Sequence, residues 1–285
     1  MAETPSDSKP YIFGRDSKSS IRLNYQHMLI KTLCDDQLLH TIVHQGIASR
    51  SSIRVADVAT GTALWLTELS DILPTHSELH GFDISHDQYP PKEWLPKNVV
   101  LHTHDAFQPF APEFLGSFDV VNLRFFITLL SEENIHPLLS NLKSLLKPGG
   151  FLHWLDFDPR SAKAIATRPG LHMPHTESVV SLMRKAQQDV DSWLLHDSDL
   201  FEVAGLDPVA YKRIQLRDHL RPMWNHCHIM GMEEVSRRMS RNTEGEASQP
   251  SPLLQQIEGL EAEFAQSSSI DAQWFIMVGQ MPSTQ

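Results

Sequence analysis

A short apolar run with β-branched residues, Ile53 to Val58, gives way at once to Ala59-Thr60-Gly61-Thr62-Ala63 and then to Leu64-Trp65-Leu66-Thr67-Glu68-Leu69. The first segment has the composition of a buried strand, and the apolar spacing of the last suits a helix. A strand that breaks into a helix through a tight turn of small residues aims helix N–H groups at whatever lies above the turn. Asp57 adds a carboxylate beside it. The arrangement predicts a nucleotide-type cofactor site in an α/β fold.

Further strands are predicted at 79–83, 98–103, 118–123, 150–156, 209–217 and 274–279, with helices near 62–72, 131–146, 177–189, 199–204 and 253–266. That alternation implies right-handed βαβ units and a mostly parallel sheet. Between Ser19 and Ile47, Leu23, Met28, Leu29, Leu33, Leu38, Leu39, Ile42 and Val43 recur at helical spacing, which predicts two helices ahead of the sheet. Lys147-Pro148-Gly149-Gly150 supplies the helix stop and the reversal into strand 150–156. Residues 159–176, rich in Pro, Arg and His, are expected to cross the face of the sheet, and 240–252 to form a mobile loop. Residues 1–10 are polar with two prolines and read as a disordered tail.

Composition excludes several classes. Lys and Arg are outnumbered 24 to 35, for a formal charge of −11, which argues against a partner built on a phosphate backbone. No apolar run is long enough to span a bilayer, and MAETPSDSKP lacks an apolar signal core. Cys34 and Cys227 are too few for a disulfide scaffold or a thiolate metal cluster. A cytoplasmic protein acting on a small molecule is the expectation; oligomeric state is not legible.

Spacing sharpens the cofactor reading. Asp83 ends Leu79-His80-Gly81-Phe82-Asp83, 22 positions after Gly61, where an acidic residue is placed to bond ribose hydroxyls. Another 22 positions on, Asp105 lies in Leu101-His102-Thr103-His104-Asp105-Ala106-Phe107, and Phe118-Asp119-Val120-Val121-Asn122-Leu123-Arg124 and Leu146-Lys147-Pro148-Gly149-Gly150 follow. This series resembles class I S-adenosylmethionine-dependent methyltransferases over about residues 50–160. Tyr11, Gly14-Arg15, Arg22-Leu23-Asn24-Tyr25-Gln26-His27 and Gln273-Trp274-Phe275-Ile276-Met277-Val278-Gly279 are similar to small gliotoxin-type N-methyltransferases of fungal natural-product pathways.

The resemblance implies a Rossmann-like, seven-stranded sheet with its last strand antiparallel. It divides the chain into the tail 1–10, a helical cap 11–50 and a methyltransferase domain 51–285 with lid segments about 160–195 and 218–252. By the same resemblance, Asp57, Ala59, Thr60, Gly61 and Thr62 hold the amino-acid end of the cofactor. Asp83 and Ile84 take the ribose, Asp105 and Ala106 the adenine, and Asn122 lies under the methyl donor. Tyr25 and His27 cover the cofactor.

Ala59 and Ala63 stand where the family has glycines. Alanine restricts φ, so these positions keep a second reading open: a methyltransferase-like cyclase that transfers no methyl group. A non-catalytic regulatory protein of the same fold is a third. At the start of a helix, Ala63→Gly is expected to cost up to ~1 kcal/mol. Asn122, Arg124, His153 and Asp156 are the polar residues at the carboxyl edge of central strands and are the catalytic candidates, with 153 and 156 on opposite faces by parity. Trp193, Trp224, Met223, Met230 and Met232 are candidates for an apolar wall. No metal is expected: in His226-Cys227-His228 adjacent helical residues diverge, and the partner of Asp156 and Asp158 on the neighbouring strand is Asn122.

Overall fold

The computed structural model describes residues 13–186, 199–241 and 252–283. The predicted tail 1–10, Tyr11, Trp193 and the lid portions 187–195 and 242–251 lie outside the described residues. Within them, the chain forms seven strands in one mixed sheet of order β3-β2-β1-β4-β5-β7-β6. They are β1 (Arg54–Val58), β2 (Glu78–Asp83), β3 (Val99–Thr103), β4 (Phe118–Arg124), β5 (Leu146–Ala166), β6 (Asp207–Gln215) and β7 (Ser268–Gln280). The first five pair in parallel, and β7 runs antiparallel between β5 and β6.

β4 is buried along six of its seven residues because helices cover both faces. On one face, α4 (Glu132–Ser144) presents Ile135, Leu138, Leu139 and Leu142, spaced i, i+3, i+4, i+7, against Val121, Leu123, Leu152 and Trp154. On the other, α1 (Ser17–Leu33), α2 (Thr41–Ile47) and α3 (Leu64–Ile72) pack Ile30, Val43, Trp65 and Leu69 against Val55, Val120 and Phe151. The buried Asp119 carboxylate ties β4 to its neighbours, accepting from the Arg54 N–H at 2.7 Å, from Lys147 Nζ at 2.8 Å and from Arg50. Gly149 adopts φ +74°, and a Cβ at Gly150 would lie 2.9 Å from the Phe118 carbonyl, so the turn into β5 requires both glycines.

β5 is the main departure from expectation. It does not end at 156, and 159–166 does not cross the sheet face; the strand continues to Ala166, paired with β7, after a register shift between Asp158 and Lys163. Pro159 cannot donate to the ladder, and the Asp158 carboxylate instead accepts from the Arg160 N–H (3.0 Å) and Nε (2.8 Å). Ser161 Oγ spans the irregularity by donating to the Asp158 carbonyl and accepting from the Gln273 N–H. The extended β5–β7 ribbon forms a further core with α5 (Pro174–Ala186) and α8 (Pro252–Ala265), around Ala162, Val180, Leu260 and Ile270. A short α6 (Asp199–Val203) precedes β6. Residues 221–241, expected in a lid, form the long helix α7 (Arg221–Arg241), fastened to α1 by the buried ion pair Arg22–Glu234 at 2.6 Å.

Strand order reverses between β1 and β4, since β2 and β3 lie to one side and β5 to the other. In open α/β sheets the crevice at the carboxyl ends of such a pair binds ligands. Of the sequence-predicted site residues, Asp57, Ala59, Thr60, Gly61, Thr62, Asp83 and Asn122 lie at this edge, whereas Asp156 does not face the same side of the sheet.

Candidate functional site

The β1–α3 turn is left-handed at alternate residues: φ is +59° at Ala59, +57° at Gly61 and +58° at Ala63. Two alanines therefore hold the backbone that glycines hold more easily. A left-handed L-residue costs about 1–2 kcal/mol, so the surroundings must enforce the shape. They do so through Thr60, whose N–H donates to the Phe82 carbonyl at 3.0 Å and whose carbonyl accepts from the Ala63 N–H at 3.0 Å. The Ala63 methyl is fully buried in the core, while Ala59 is exposed. Gly81 lets β2 come this close: a Cβ there would sit 2.8 Å from Thr60 Cγ2 and 2.6 Å from Leu101.

A buried polar row runs beneath the turn, across three strands. Asp57, Asn122 and His153 are register neighbours on β1, β4 and β5. Asp57 Oδ2 accepts from Thr60 Oγ1 (2.7 Å) and Oδ1 from Asn122 Nδ2 (2.7 Å). Asn122 Oδ1 lies 2.8 Å from His153 Nδ1, and His153 Nε2 accepts from the His40 N–H at 3.3 Å. A backbone N–H can only donate, which assigns the His153 proton to Nδ1. Burial pushes the His153 pKa down to about 3 and raises that of Asp57. Asn122 and His153 are spent inside this row, at 0% and 1% exposure, so the row shapes the turn from below.

Asp83 is half-buried at the end of β2, where its carboxylate accepts from the Gly61 N–H (2.9 Å) and the Ser85 N–H (3.2 Å). Burial raises its pKa. Ile84 beside it is exposed. Beyond β3, Asp105 accepts from the Phe107 N–H at 3.0 Å, and the buried Ala106 carbonyl accepts from Asn141 Nδ2. Asp83, Asp105 and the turn thus occupy adjacent strand ends.

Helix α1 closes over this edge. Asn24 Oδ1 accepts from Thr62 Oγ1 at 2.6 Å, and Leu23 stands over Gly61, where an added Cβ would be 3.2 Å from Leu23 Cδ1. Arg124 Nη1 donates to His27 Nδ1 at 3.1 Å, and His27 Nε2 faces Glu68 Oε2 at 3.3 Å. Burial, then the Arg124 charge, holds the His27 pKa down to about 4, so its imidazole is neutral with the proton on Nε2. Arg124 stacks over Trp65, 5.6 Å from the ring centre. Tyr25 is half-buried, and burial raises its phenol.

Asp156 sits apart. It is fully buried on the α4 face, opposite His153 as parity requires, and Oδ2 accepts from the Phe126 N–H (2.7 Å), the Ile127 N–H (2.9 Å) and Trp154 Nε1 (3.1 Å). Oδ1 accepts from the Phe157 N–H. Burial pushes its pKa up to about 6. These bonds fix the backbone just after β4 and leave the carboxylate on the far side of the sheet from His27. Among the described residues, no group of three or more His, Cys, Asp or Glu could hold a metal ion, and no helix is long and apolar enough to cross a membrane.

A family model described as a methyltransferase domain matches residues 25–240, from α1 through nearly all of α7. The chain belongs to this methyltransferase-domain family. It is 37% identical over 140 residues to N-methyltransferase tcpN of Claviceps purpurea, covering 49% of each chain. It is 29% identical over 157 residues to N-methyltransferase gliN of Aspergillus fumigatus, covering 55% of this chain and 52% of the other. The matched region spans about half the length of these curated relatives. A solved S-adenosylmethionine-dependent methyltransferase from Thiobacillus denitrificans, in complex with S-adenosyl-L-homocysteine, is 16% identical with a TM-score of 0.46 over 85% of this chain and 92% of that one.

Several residues of this candidate site carry no signal in the sequence. His40, Glu68 and Asn24 reach it only because α1 and α2 fold back on the sheet. Asn24 lies in the quoted segment Arg22–His27, yet nothing in its surroundings announces Thr62 as a partner. Phe125 is a further case: a bulky residue at φ +54° directly after Arg124.

Proposed function

We propose that this methyltransferase-domain protein transfers the methyl group of S-adenosylmethionine to a nitrogen nucleophile of a small, largely apolar secondary metabolite. The observation that carries the reading is the left-handed 59-61-63 turn at the topological switch point, with Asp83 and Asp105 on the next two strand ends. The residues present fit such a cofactor. The turn has the backbone a glycine-rich turn would have, and the Ala63 methyl faces the core rather than the crevice. Asp83 and Asp105 are half-buried carboxylates with partners on their inner sides. The alanines therefore give no conformational ground for the cyclase reading. Nitrogen is favoured over oxygen or sulfur by the names of the fungal relatives.

S-adenosylmethionine supplies an electrophilic methyl group. Residues of this chain would hold it as follows: Thr60, Gly61 and Thr62 at the amino-acid end, Asp83 and Ile84 at the ribose, Asp105 and Ala106 at the adenine. Tyr25 and His27 of α1 roof the crevice and exclude water, which strengthens electrostatic contacts within it. Asp57, Asn122 and His153 set the turn. Arg124 and neutral His27 are the polar groups on the crevice side of β4, and His27 can accept or pass a proton only by exchanging its bond to Arg124. Asp156 fixes residues 126 and 127, and through them the end of β4.

The test uses S-adenosylmethionine labelled at its methyl group and a panel of amine- and amide-bearing metabolites, with products read by mass spectrometry. Label on a nitrogen of the product is the expected result. Product that carries no label sinks the methyl-transfer reading in favour of the cyclase, and a protein that binds no S-adenosylmethionine sinks the methyl-transfer reading outright.

A further inference from the structure

An aromatic group stands at the carboxyl edge beside the polar groups just described. Trp274 on β7 packs Phe125 at 5.6 Å, Phe157 at 5.7 Å and Trp224 of α7 at 4.7 Å between ring centres. Phe125 and Phe157 are half-buried, whereas Trp224 and Trp274 are 4% and 6% exposed. Strand alternation would send Phe125 to the α4 face with Leu123; instead, at φ +54°, its ring packs on the Arg124 face against Trp274. The aromatic surface is thus held on the crevice side by a backbone conformation that a phenylalanine rarely adopts.

Trp224 Nε1 is buried with no hydrogen-bond partner among the described residues. Buried indole N–H groups are nearly always satisfied, and each exception calls for an explanation. An indole N–H donates and cannot accept, so whatever satisfies it must present a lone pair. His228 lies one helical turn further along α7 on the same stripe, and burial alone lowers its pKa to about 4, so no cation stands next to the indole there. The four rings offer flat apolar faces, and among them the Trp224 N–H is the directional donor left without a partner.

We propose that Trp224, Trp274, Phe125 and Phe157 form the acceptor subsite, and that the Trp224 indole N–H reads a carbonyl-type oxygen on a flat, apolar acceptor. The assignment rests on the methyl-transfer reading for its biological meaning, but its test does not need the cofactor. Aromatic faces select a planar molecule, and the orphan donor selects among planar molecules for one with an oxygen acceptor, because an analogue lacking that oxygen leaves the N–H unpaired.

The probes are 1-indanone and indane, which share a ring framework and differ in one carbonyl oxygen. The full chain, 15N-labelled at tryptophan, is titrated with each, and the Trp224 indole signal is assigned from Trp224→Phe. The expected result is a displaced Trp224 indole signal with 1-indanone and at least tenfold tighter binding of 1-indanone than of indane. In Trp224→Phe, which keeps an aromatic ring, the two probes should bind within twofold of each other, while S-adenosyl-L-homocysteine binds as to wild type in calorimetry. A Trp224 signal unmoved by 1-indanone, failure of wild type to bind either probe, or a preference that survives Trp224→Phe overturns the subsite. Loss of S-adenosyl-L-homocysteine binding by wild type would instead strike the methyl-transfer reading, and it is read separately.

Discussion

His153 Nδ1 lies 2.8 Å from Asn122 Oδ1, joining β5 to β4 in the middle of a row that ends under the β1–α3 turn. Each member uses the acceptor or donor its neighbour lacks. The His40 N–H satisfies Nε2, the imidazole satisfies Asn122, and Asn122 and Thr60 satisfy the two oxygens of Asp57. A buried chain of this kind is stable when complete and costly when cut, because low dielectric strengthens the bonds and the penalty for losing them alike.

Replacing His153 by Phe keeps the ring volume but leaves the His40 N–H and Asn122 Oδ1 without partners. Each unpaired buried group costs about 1–3 kcal/mol, so His153→Phe should lose at least ~2 kcal/mol in urea unfolding. A change within the ~0.5 kcal/mol of ordinary surface substitutions would show that the row carries no stability.

The same burial gives stability a pH dependence. His27, His80 and His228 are held near a pKa of about 4 and His153 near about 3, each chiefly by burial. Below the ordinary histidine value of about 6.5 the unfolded chain takes up protons that the folded chain refuses. Their contribution is therefore full above about pH 6.5 and is lost as the pH falls toward 4. Asp156, raised to about 6, works the other way between pH 6 and 4, as do Asp57 and Asp83, whose carboxyls burial also raises, but these three are outnumbered by six histidines once His40 and His102, likewise lowered by burial, are included. The urea midpoint should fall steadily from pH 7 to pH 4; a flat or rising curve would contradict these environments.

Ala59 and Ala63 share a left-handed φ but differ in burial, which separates the effects of Ala→Gly. At Ala59 the relief of about 1–2 kcal/mol is offset by the entropy glycine restores to the unfolded chain, about 0.4–1 kcal/mol. Ala59→Gly should stabilise by roughly 0.5–1 kcal/mol. At Ala63 the loss of a fully buried methyl, worth ~0.8 kcal/mol, cancels most of the relief, leaving a change near zero. The helix-start cost expected from sequence does not apply, since Ala63 caps α3 outside its helical φ. Thermal melts of both variants decide it, and destabilisation by Ala59→Gly would be the contrary result.

The sheet and the small-residue turn at its carboxyl edge were legible because they are written locally. A β-branched run, a small-residue turn and two aspartates at equal spacing place β1, β2 and β3 without reference to anything distant. What sequence hides is whatever depends on packing between remote segments. The segment that forms α7 reads from sequence as part of a lid, and nothing local in it announces the partners that hold it. In the fold Gly231 gives room to Phe13 and Arg22, and Glu234 completes a buried ion pair with Arg22. The extension of β5 is masked by Asp158-Pro159-Arg160, which looks like a stop and is an irregularity within a strand. A positive φ at two alanines is invisible for a simpler reason: residue type predicts glycine there, and only the surrounding bonds hold alanine in place.

Asp83 binds the Gly61 N–H and the Ser85 N–H on its inner side, so its substitution tests the cofactor and the turn together. Asp83→Asn keeps the shape but removes the charge that makes its acceptor bonds strong. Losing charged hydrogen bonds costs ~1.5–3 kcal/mol, so S-adenosylmethionine should bind at least tenfold more weakly in calorimetry. An unchanged dissociation constant would place the ribose elsewhere.

Arg124 and Asp156 lie at the ends of neighbouring strands, and the structure assigns them different expected failures. Arg124 is on the crevice side, bonded to His27 and stacked over Trp65, where it orders the polar edge that an acceptor would approach. Arg124→Ala should lower kcat/KM at least tenfold, about 1.4 kcal/mol of transition-state stabilisation, with cofactor affinity unchanged. Asp156 never reaches that side. Its Oδ2 takes three donors, and Asp156→Asn has one carbonyl oxygen where two carboxylate oxygens served four N–H groups. At least one buried donor is then unpaired, and stability should fall by about 1–3 kcal/mol. Activity per folded molecule should drop only as far as the 126–127 backbone shifts. Rates measured beside urea unfolding separate the two cases. A wild-type rate in Arg124→Ala, or a tenfold loss in Asp156→Asn without loss of stability, would reverse the assignment of the two residues.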